Sequence, residues 1–172
     1  MARRRVPKGD PVAGNALAFL LSQVGAHSAA RFAERLTPLQ VAPAHTGILR
    51  VLRQADGLSQ QALGERLGVF PSRIVGLLDD LEERELVERR QSPTDRRSYA
   101  LYLTDKGREM VQQIDRVSSE HQDALCAALA EPERAQLAEL LQRIADEQGL
   151  TPGVHPGYRA LGSQQPKGCE PS

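Results

Sequence analysis

Tryptophan is absent, and three Phe and three Tyr are the only aromatic residues among 172. With Ala, Leu, Val and Arg abundant instead, the core is expected to be aliphatic and mainly helical. Cysteine is scarce: Cys126 and Cys169 stand far apart with no C-x-x-C pair, which argues against a disulfide framework or a zinc knuckle and fits a reducing cytoplasm. Neither sign of charge is in excess, 22 Lys and Arg facing 22 Asp and Glu. Any nucleic-acid surface must therefore come from local clustering. The longest strongly apolar run, Leu17 to Leu21, is far too short to span a bilayer, and no apolar core with a small-residue cleavage site precedes it. Neither membrane insertion nor export is expected. There is no G-x-S-x-G turn, Walker loop or paired-carboxylate constellation, so no catalytic residue, cofactor or metal site is expected.

What is present is helical periodicity interrupted once. Residues 1–14 hold Arg3, Arg4, Arg5 and Lys8 among Pro and Gly, a composition expected to stay disordered, either as a solvated tail or as a basic arm that touches nucleic-acid phosphates. Asn15 is placed to cap a first helix whose Leu17, Leu20, Leu21, Val24, His27, Ser28 and Phe32 form a stripe up to Leu36. Pro43 fits the first residue of a second helix that buries His45, Ile48, Leu49 and Leu52 and stops at Asp56-Gly57. Ser59 caps a short third helix closed by Gly68, and Pro71 opens a fourth with Ile74, Leu77, Leu78 and Leu81 on one face. The opposite face carries Ser72, Arg73, Val75, Gly76 and Asp79, thin enough to lie close to another surface.

Beyond Arg84 the period changes to two. Val87, Arg89 and Gln91 alternate with Glu88 and Arg90, and after Ser92-Pro93-Thr94-Asp95 the residues Tyr99, Leu101 and Leu103 alternate with Ala100 and Tyr102. A two-stranded hairpin is the expected result. Thr104 caps a long fifth helix with a stripe from Met110 to Ala128, and Glu131-Pro132 starts a sixth with Leu137, Leu140, Leu141 and Ile144. The first, fifth and sixth helices hold more apolar stripe than one small domain can cover, so a dimer built from both chain ends is expected. From Gly149 the tail, rich in Gly, Pro, Ser and Gln, is expected to be disordered.

The run Leu58-Ser59-Gln60-Gln61-Ala62-Leu63-Gly64-Glu65-Arg66-Leu67-Gly68-Val69, then Ser72, Asp79-Asp80-Leu81-Glu82-Glu83-Arg84 and Leu86-Val87-Glu88-Arg89-Arg90, resembles the MarR family of bacterial transcription regulators. The likeness continues through Asp95-Arg96-Arg97, where that family writes a D-x-R wing, to Leu103-Thr104 and Gly107. It spans about Asn15 to Gln148 and is motif-grade from Leu58 to Gly107. The resemblance implies a mainly α fold: a winged helix-turn-helix over residues 43–103 with a two-stranded wing, and dimerisation helices over 15–36 and 104–148. It implies a cytoplasmic homodimer on a pseudo-palindromic operator in double-stranded DNA. It also implies repression, often relieved by a small aromatic or lipophilic effector or by an oxidant.

The residues agree with that implication. Arg73 is suited to guanine O6 and N7, with Ser72, Val75 and Gly76 leaving room in a major groove. Ser59 and Gln60 offer donors to phosphate, Arg89, Arg90 and Arg97 add local positive charge, Arg96 suits a narrow minor groove, and Asp95 is expected to orient Arg97. Three departures from the family stand out. Val75 and Gly76 replace a frequent Thr and Arg, so one usual contact is expected to be missing. Glu85 replaces a usual Gly, at a cost of about 1 kcal/mol if a left-handed cap were kept, so the fourth helix is expected to end differently. Phe70 is unusual before the recognition helix, and is either a hydrophobic staple or a base-methyl contact. His27, His45 and His121 fall on inward faces and are read as hydrogen-bonded core residues, as a pocket for an anionic aromatic ligand, or as metal ligands. Cys126 is simplest as a small buried hydrophobe. A protein-interaction module on the same fold and a cysteine-based redox sensor are the alternatives.

Overall fold

The structure, a computed structural model, describes residues 16–91 and 99–155. Asn15, the basic arm, the wing tip with Asp95, Arg96 and Arg97, and Cys169 all lie outside the described residues. Helix α1 (Ala16–Leu36) runs into a 3-10 turn (Thr37–Leu39), where Pro38 stops it and Gln40 turns the chain at a φ of 56°. Helix α2 (Pro43–Gln54) begins on proline, as expected from its spare N–H position. The ring of His45 reaches back, its Nδ1 accepting from the Ala42 N–H at 3.1 Å, and so serves an amide that the helix itself leaves unpaired.

Strand β1 (Leu58–Ser59) leads into α3 (Gln60–Leu67), whose first turn is capped by Ser59 Oγ accepting from the Ala62 N–H at 3.1 Å. Gly68, at a φ of 61°, closes α3 and the chain turns directly into α4 (Pro71–Glu83). Strands β2 (Val87–Gln91) and β3 (Tyr99–Leu103) pair antiparallel from Val87 opposite Leu103 to Gln91 opposite Tyr99. β1 joins the other edge of β3, giving the order β1-β3-β2. This third strand is too short for any period to reveal it. Helices α5 (Asp105–Leu125) and α6 (Glu131–Glu147) complete the chain. α5 ends before Ala128, because the Ala130 N–H is taken by the Glu133 carboxylate at 2.7 Å, which starts α6.

One aliphatic core holds these parts together. Ile48, Leu49 and Leu52 of α2 meet Leu63 of α3, Ile74, Leu78 and Leu81 of α4, Leu101 and Leu103 of β3, and Ile114 of α5, all essentially sealed from solvent. Each such side chain contributes about 1.5–3 kcal/mol. By contrast, α6 buries no residue and α1 buries only Leu36. Their Leu17, Leu20, Leu21, Val24, Leu137, Leu140, Leu141 and Ile144 are exposed. The chain beyond α6 does not leave the body at Gly149: the Leu150 N–H closes on the Ala145 carbonyl at 2.9 Å, and Val154 packs against the core. Order therefore extends past the boundary expected from composition, because two apolar residues, Leu150 and Val154, follow the Gly149 turn.

The corner after α4 departs from expectation. Glu85 keeps the left-handed conformation at a φ of 58°, its N–H donating to the Glu82 carbonyl at 2.8 Å and the Leu86 N–H to the Leu81 carbonyl at 2.9 Å. This is the paired closure usually built on glycine. The geometry is retained because the far side of the corner is fastened: Thr104 Oγ1 donates to the Glu85 carbonyl at 2.6 Å, and the Thr104 N–H donates to the Leu86 carbonyl at 3.3 Å. Gly107 lies against the same carbonyl, where a Cβ would stand 2.0 Å from the Leu86 oxygen.

Two substitutions test the corner. Glu85→Gly relieves a left-handed side chain and loses only the exposed Lys106 pair at 3.2 Å, so it should raise stability by about 0.5–1 kcal/mol in urea unfolding. A lower midpoint would refute the strain. Gly107→Ala should cost about 2–3 kcal/mol or more, seen as a large drop in Tm, because backbone rather than a flexible side chain must give way.

Candidate nucleic-acid interface

Helix α4 follows α3 across a three-residue turn and packs on the core through Ile74, Leu78 and Leu81, which leaves its other face to solvent. Ser72, Val75, Gly76 and Asp79 are exposed and Arg73 is half-buried. A Cβ added at Gly76 would meet nothing within 4 Å, so the glycine answers no need of the fold and marks open space on that face. Phe70, the residue before α4, is 69% exposed. It does not act as a staple; it stands at the leading end of the helix as an apolar projection. Ser59 is exposed with its hydroxyl committed to the cap of α3, and Gln60 beside it is half-buried.

The wing strand adjoining α4 is braced rather than free. Arg89 shares the phase of Val87, which turns its guanidinium to α4, where it donates to Asp79 at 2.7 Å and also pairs with Glu82. Burial opposes its charge, but the hydrogen bond to Asp79 and the charges of Glu82 and Asp79 outweigh that and hold its pKa above the ordinary value. Arg90, on the other face of the strand, pairs with Glu88 and lies 4.8 Å from the centre of the Tyr102 ring. Asp79 is on the outer face of α4 expected from the sequence, but its pairing and that of Glu82 with Arg89 were not expected. Their three-residue spacing on α4, set against an Arg in the inward phase of β2, is the signal that was available.

The MarR family model matches residues 42–99, from the start of α2 through α3, α4 and β2 to the first residue of β3. A candidate transcriptional regulatory protein for the hcr operon of Thauera aromatica is 36% identical over 123 residues, covering 71% of this chain and 74% of that one. The transcriptional repressor CouR bound to a 23-mer DNA duplex superposes with a TM-score of 0.68 at 31% identity, over 80% of this chain and 99% of that one. A mutant of Escherichia coli MarR complexed with operator DNA gives a TM-score of 0.65 at 27% identity, over 76% and 94% of the two chains. This chain belongs to the MarR family. It is a DNA-binding transcriptional regulator and not an enzyme. Among its described residues no helix is long and apolar enough to cross a membrane.

Within this MarR-family fold the three singled-out histidines do not converge. His27 and His121 line one recess between α1 and α5, and His45 lines neither that recess nor the larger groove beside α2. His121 Nε2 is 3.0 Å from Ser28 Oγ, and its ring lies 5.5 Å from that of Phe32. His45 sits instead between α2 and the recognition helix. Since its Nδ1 accepts from Ala42, its proton is on Nε2, 3.2 Å from Asp80 Oδ2, and Asp80 in turn lies 3.7 Å from Arg84 Nε. Cys126 is half-buried at the C-terminus of α5.

Burial holds the His45 pKa below its ordinary value of 6.5, with Asp80 raising it and Arg84 lowering it further. The unfolded chain then takes up this proton first as the pH falls. The stability linked to His45 is complete above about pH 6.5 and is lost as the pH drops from there towards the folded-state value. The urea midpoint should fall between about pH 7.5 and 5.5, and His45→Gln should flatten that fall. Parallel pH profiles for the two proteins would show that His45 carries no such linkage.

Proposed function

We propose that this regulator is a homodimer that places two α4 helices in successive major grooves of a pseudo-palindromic operator, and that it represses until a small aromatic or lipophilic effector binds. The observation that carries the reading is the pairing of a thin, open outer face on α4 with uncovered apolar faces on α1 and α6. The first faces a groove; the second needs another copy. An apolar recess of about 550 Å³ between Leu17 and Leu21 of α1 and Leu137, Leu141 and Ile144 of α6 fits such a partner. Residues 15–36 and 104–148 serve as the dimerisation helices and residues 43–103 as the DNA-reading lobe, with residues 1–14 and the end of the C-terminal tail outside both. The site of action is the cytoplasm, where a bacterial chromosome lies.

In this reading Arg73 reads a base edge, with Ser72, Val75 and Gly76 lining the approach and Phe70 available to a thymine methyl. Ser59 and Gln60 meet phosphate at the start of α3, and Arg90 does so along the wing. Arg96 enters the minor groove with Arg97 beside it, oriented by Asp95. Arg89 serves as a brace, since both of its carboxylate partners are on α4. The effector has a groove of about 450 Å³ beside α2, walled by Phe32, Pro43, Thr46, Ala145 and Val154. That volume and apolar lining suit a ring or a short acyl chain.

Mobility shifts with genomic fragments at two salt concentrations should show a specific duplex with half-sites about one helical turn apart and affinity falling steeply with salt. Uniform weak binding to every fragment would overturn the reading. Arg96→Ala should weaken binding to all sequences alike, whereas Arg73→Ala should lose about 1–3 kcal/mol of discrimination at one base pair. Equal losses on cognate and random DNA for both variants would remove Arg73 from base reading.

A further inference from the structure

Four cationic or imidazole groups gather where the DNA-reading lobe is not involved. His27, Arg31 and Arg35 follow one another at four-residue intervals and so share one face of α1. His121 comes to the same place from α5, held by Ser28 and Phe32 on the neighbouring stripe of α1. Together they line a recess of about 160 Å³, with Ala124 and Leu125 of α5 on its wall. That is far more than the 10–15 Å³ of probe-occupied space that one water needs, by about tenfold.

The charges in this recess are poorly answered by the protein. Glu34 pairs with Arg31, and no other carboxylate is paired with the group among the described residues. The Nε of Arg35 is buried and has no hydrogen-bond partner. Burial lowers the pKa of His121, and Arg35, Arg31 and His27 each lower it further. The dipole of α1 favours one cation in its last turn, where Arg35 lies, but it gives Nε no acceptor and does not account for the other three groups. Like charges at four-residue spacing destabilise a helix slightly, and an unpaired buried donor costs more. An anion in the recess reverses both effects at once.

We propose that the recess between the C-terminal halves of α1 and α5 is an oxyanion-binding site, in which Arg35, Arg31, His27 and His121 hold a carboxylate or phosphate group. Arg35 Nε donates to it, Arg31 and His27 close it from the exposed side, and His121 supplies the α5 contact while Ser28 occupies its other nitrogen. The site fastens α1 to α5, two helices of the dimerisation region, and it is separate from the apolar groove beside α2. Its binding is measured without DNA, so its failure and that of the DNA-binding reading are distinguishable.

The test is a titration of the full chain with inorganic phosphate and, separately, with benzoate at constant ionic strength set by chloride, followed through the imidazole proton signals in NMR. His27 and His121 should shift saturably, with His45 and His155 unmoved. Tighter binding of phosphate assigns a phosphoryl ligand, and tighter binding of benzoate assigns a carboxylate; either supports the site. Arg35→Gln should weaken the tighter anion about tenfold or more, with the far-ultraviolet circular dichroism unchanged. Should that variant not fold, His27→Gln, at an exposed position, should weaken the same anion severalfold. Absence of saturable shifts with both probes, shifts spread equally over His45 and His155, or unchanged affinity in the variant that folds would overturn the site.

Discussion

The whole arrangement depends on a fixed corner between the recognition helix and the wing. At Glu85-Leu86 the last carbonyls of α4 are closed by a left-handed turn, and the carbonyls of the turn itself are closed by Thr104 at the start of α5. Gly107 lets α5 come within contact of that same backbone, and no other residue type fits there. Three elements therefore meet with no slack. Moving α5 must move the C-terminus of α4 and the base of β2, which ties the region expected to pair with a second copy to the part that reads DNA.

The brace from Arg89 to Asp79 and Glu82 acts on the same rigid unit from its outer side. A wing attached to α4 only through its corner could tilt about it. With a guanidinium held between two carboxylates a turn apart, the strand follows the helix. An exposed ion pair contributes little to stability, about 0–1 kcal/mol. Here the consequence is geometric: strand β2 and helix α4 are held at a set separation, so less conformational freedom is left to lose on binding.

Most of this was legible from residue order. Helix starts at Pro43 and Pro71, caps at Ser59 and Thr104 and the end at Gly68 follow from local backbone chemistry, which acts within four residues and is visible in any sequence. The strand β1 was not legible, because two residues carry no period and its pairing depends on β3, more than forty positions away. Glu85 shows the limit of propensity: the local preference for glycine is real, yet Thr104 and Gly107, far along the chain, impose the turn. For the histidines, helical phase put all three on inward faces, but His27 is exposed and shares the α1–α5 contact with His121, whereas His45 stands at the start of α2 and turns to α4. His45 consequently belongs to the recognition helix through Asp80.

A sequence with no net charge must still hold a polyanion, and its ion pairs show how. Among the described residues Arg31, Arg50, Arg53, Arg84, Arg89, Arg90, Arg108 and Arg134 are all paired with carboxylates. Three of these arginines join helix to helix, Arg50 and Arg53 of α2 with Asp115 of α5 and Arg134 of α6 with Asp123 of α5, and all the pairs leave little field for a distant phosphate to sense. The densest basic run in the sequence without an acidic neighbour is Arg3-Arg4-Arg5. Neutral bulk charge then has a use of its own: it keeps sequence-independent affinity for a polyanion low.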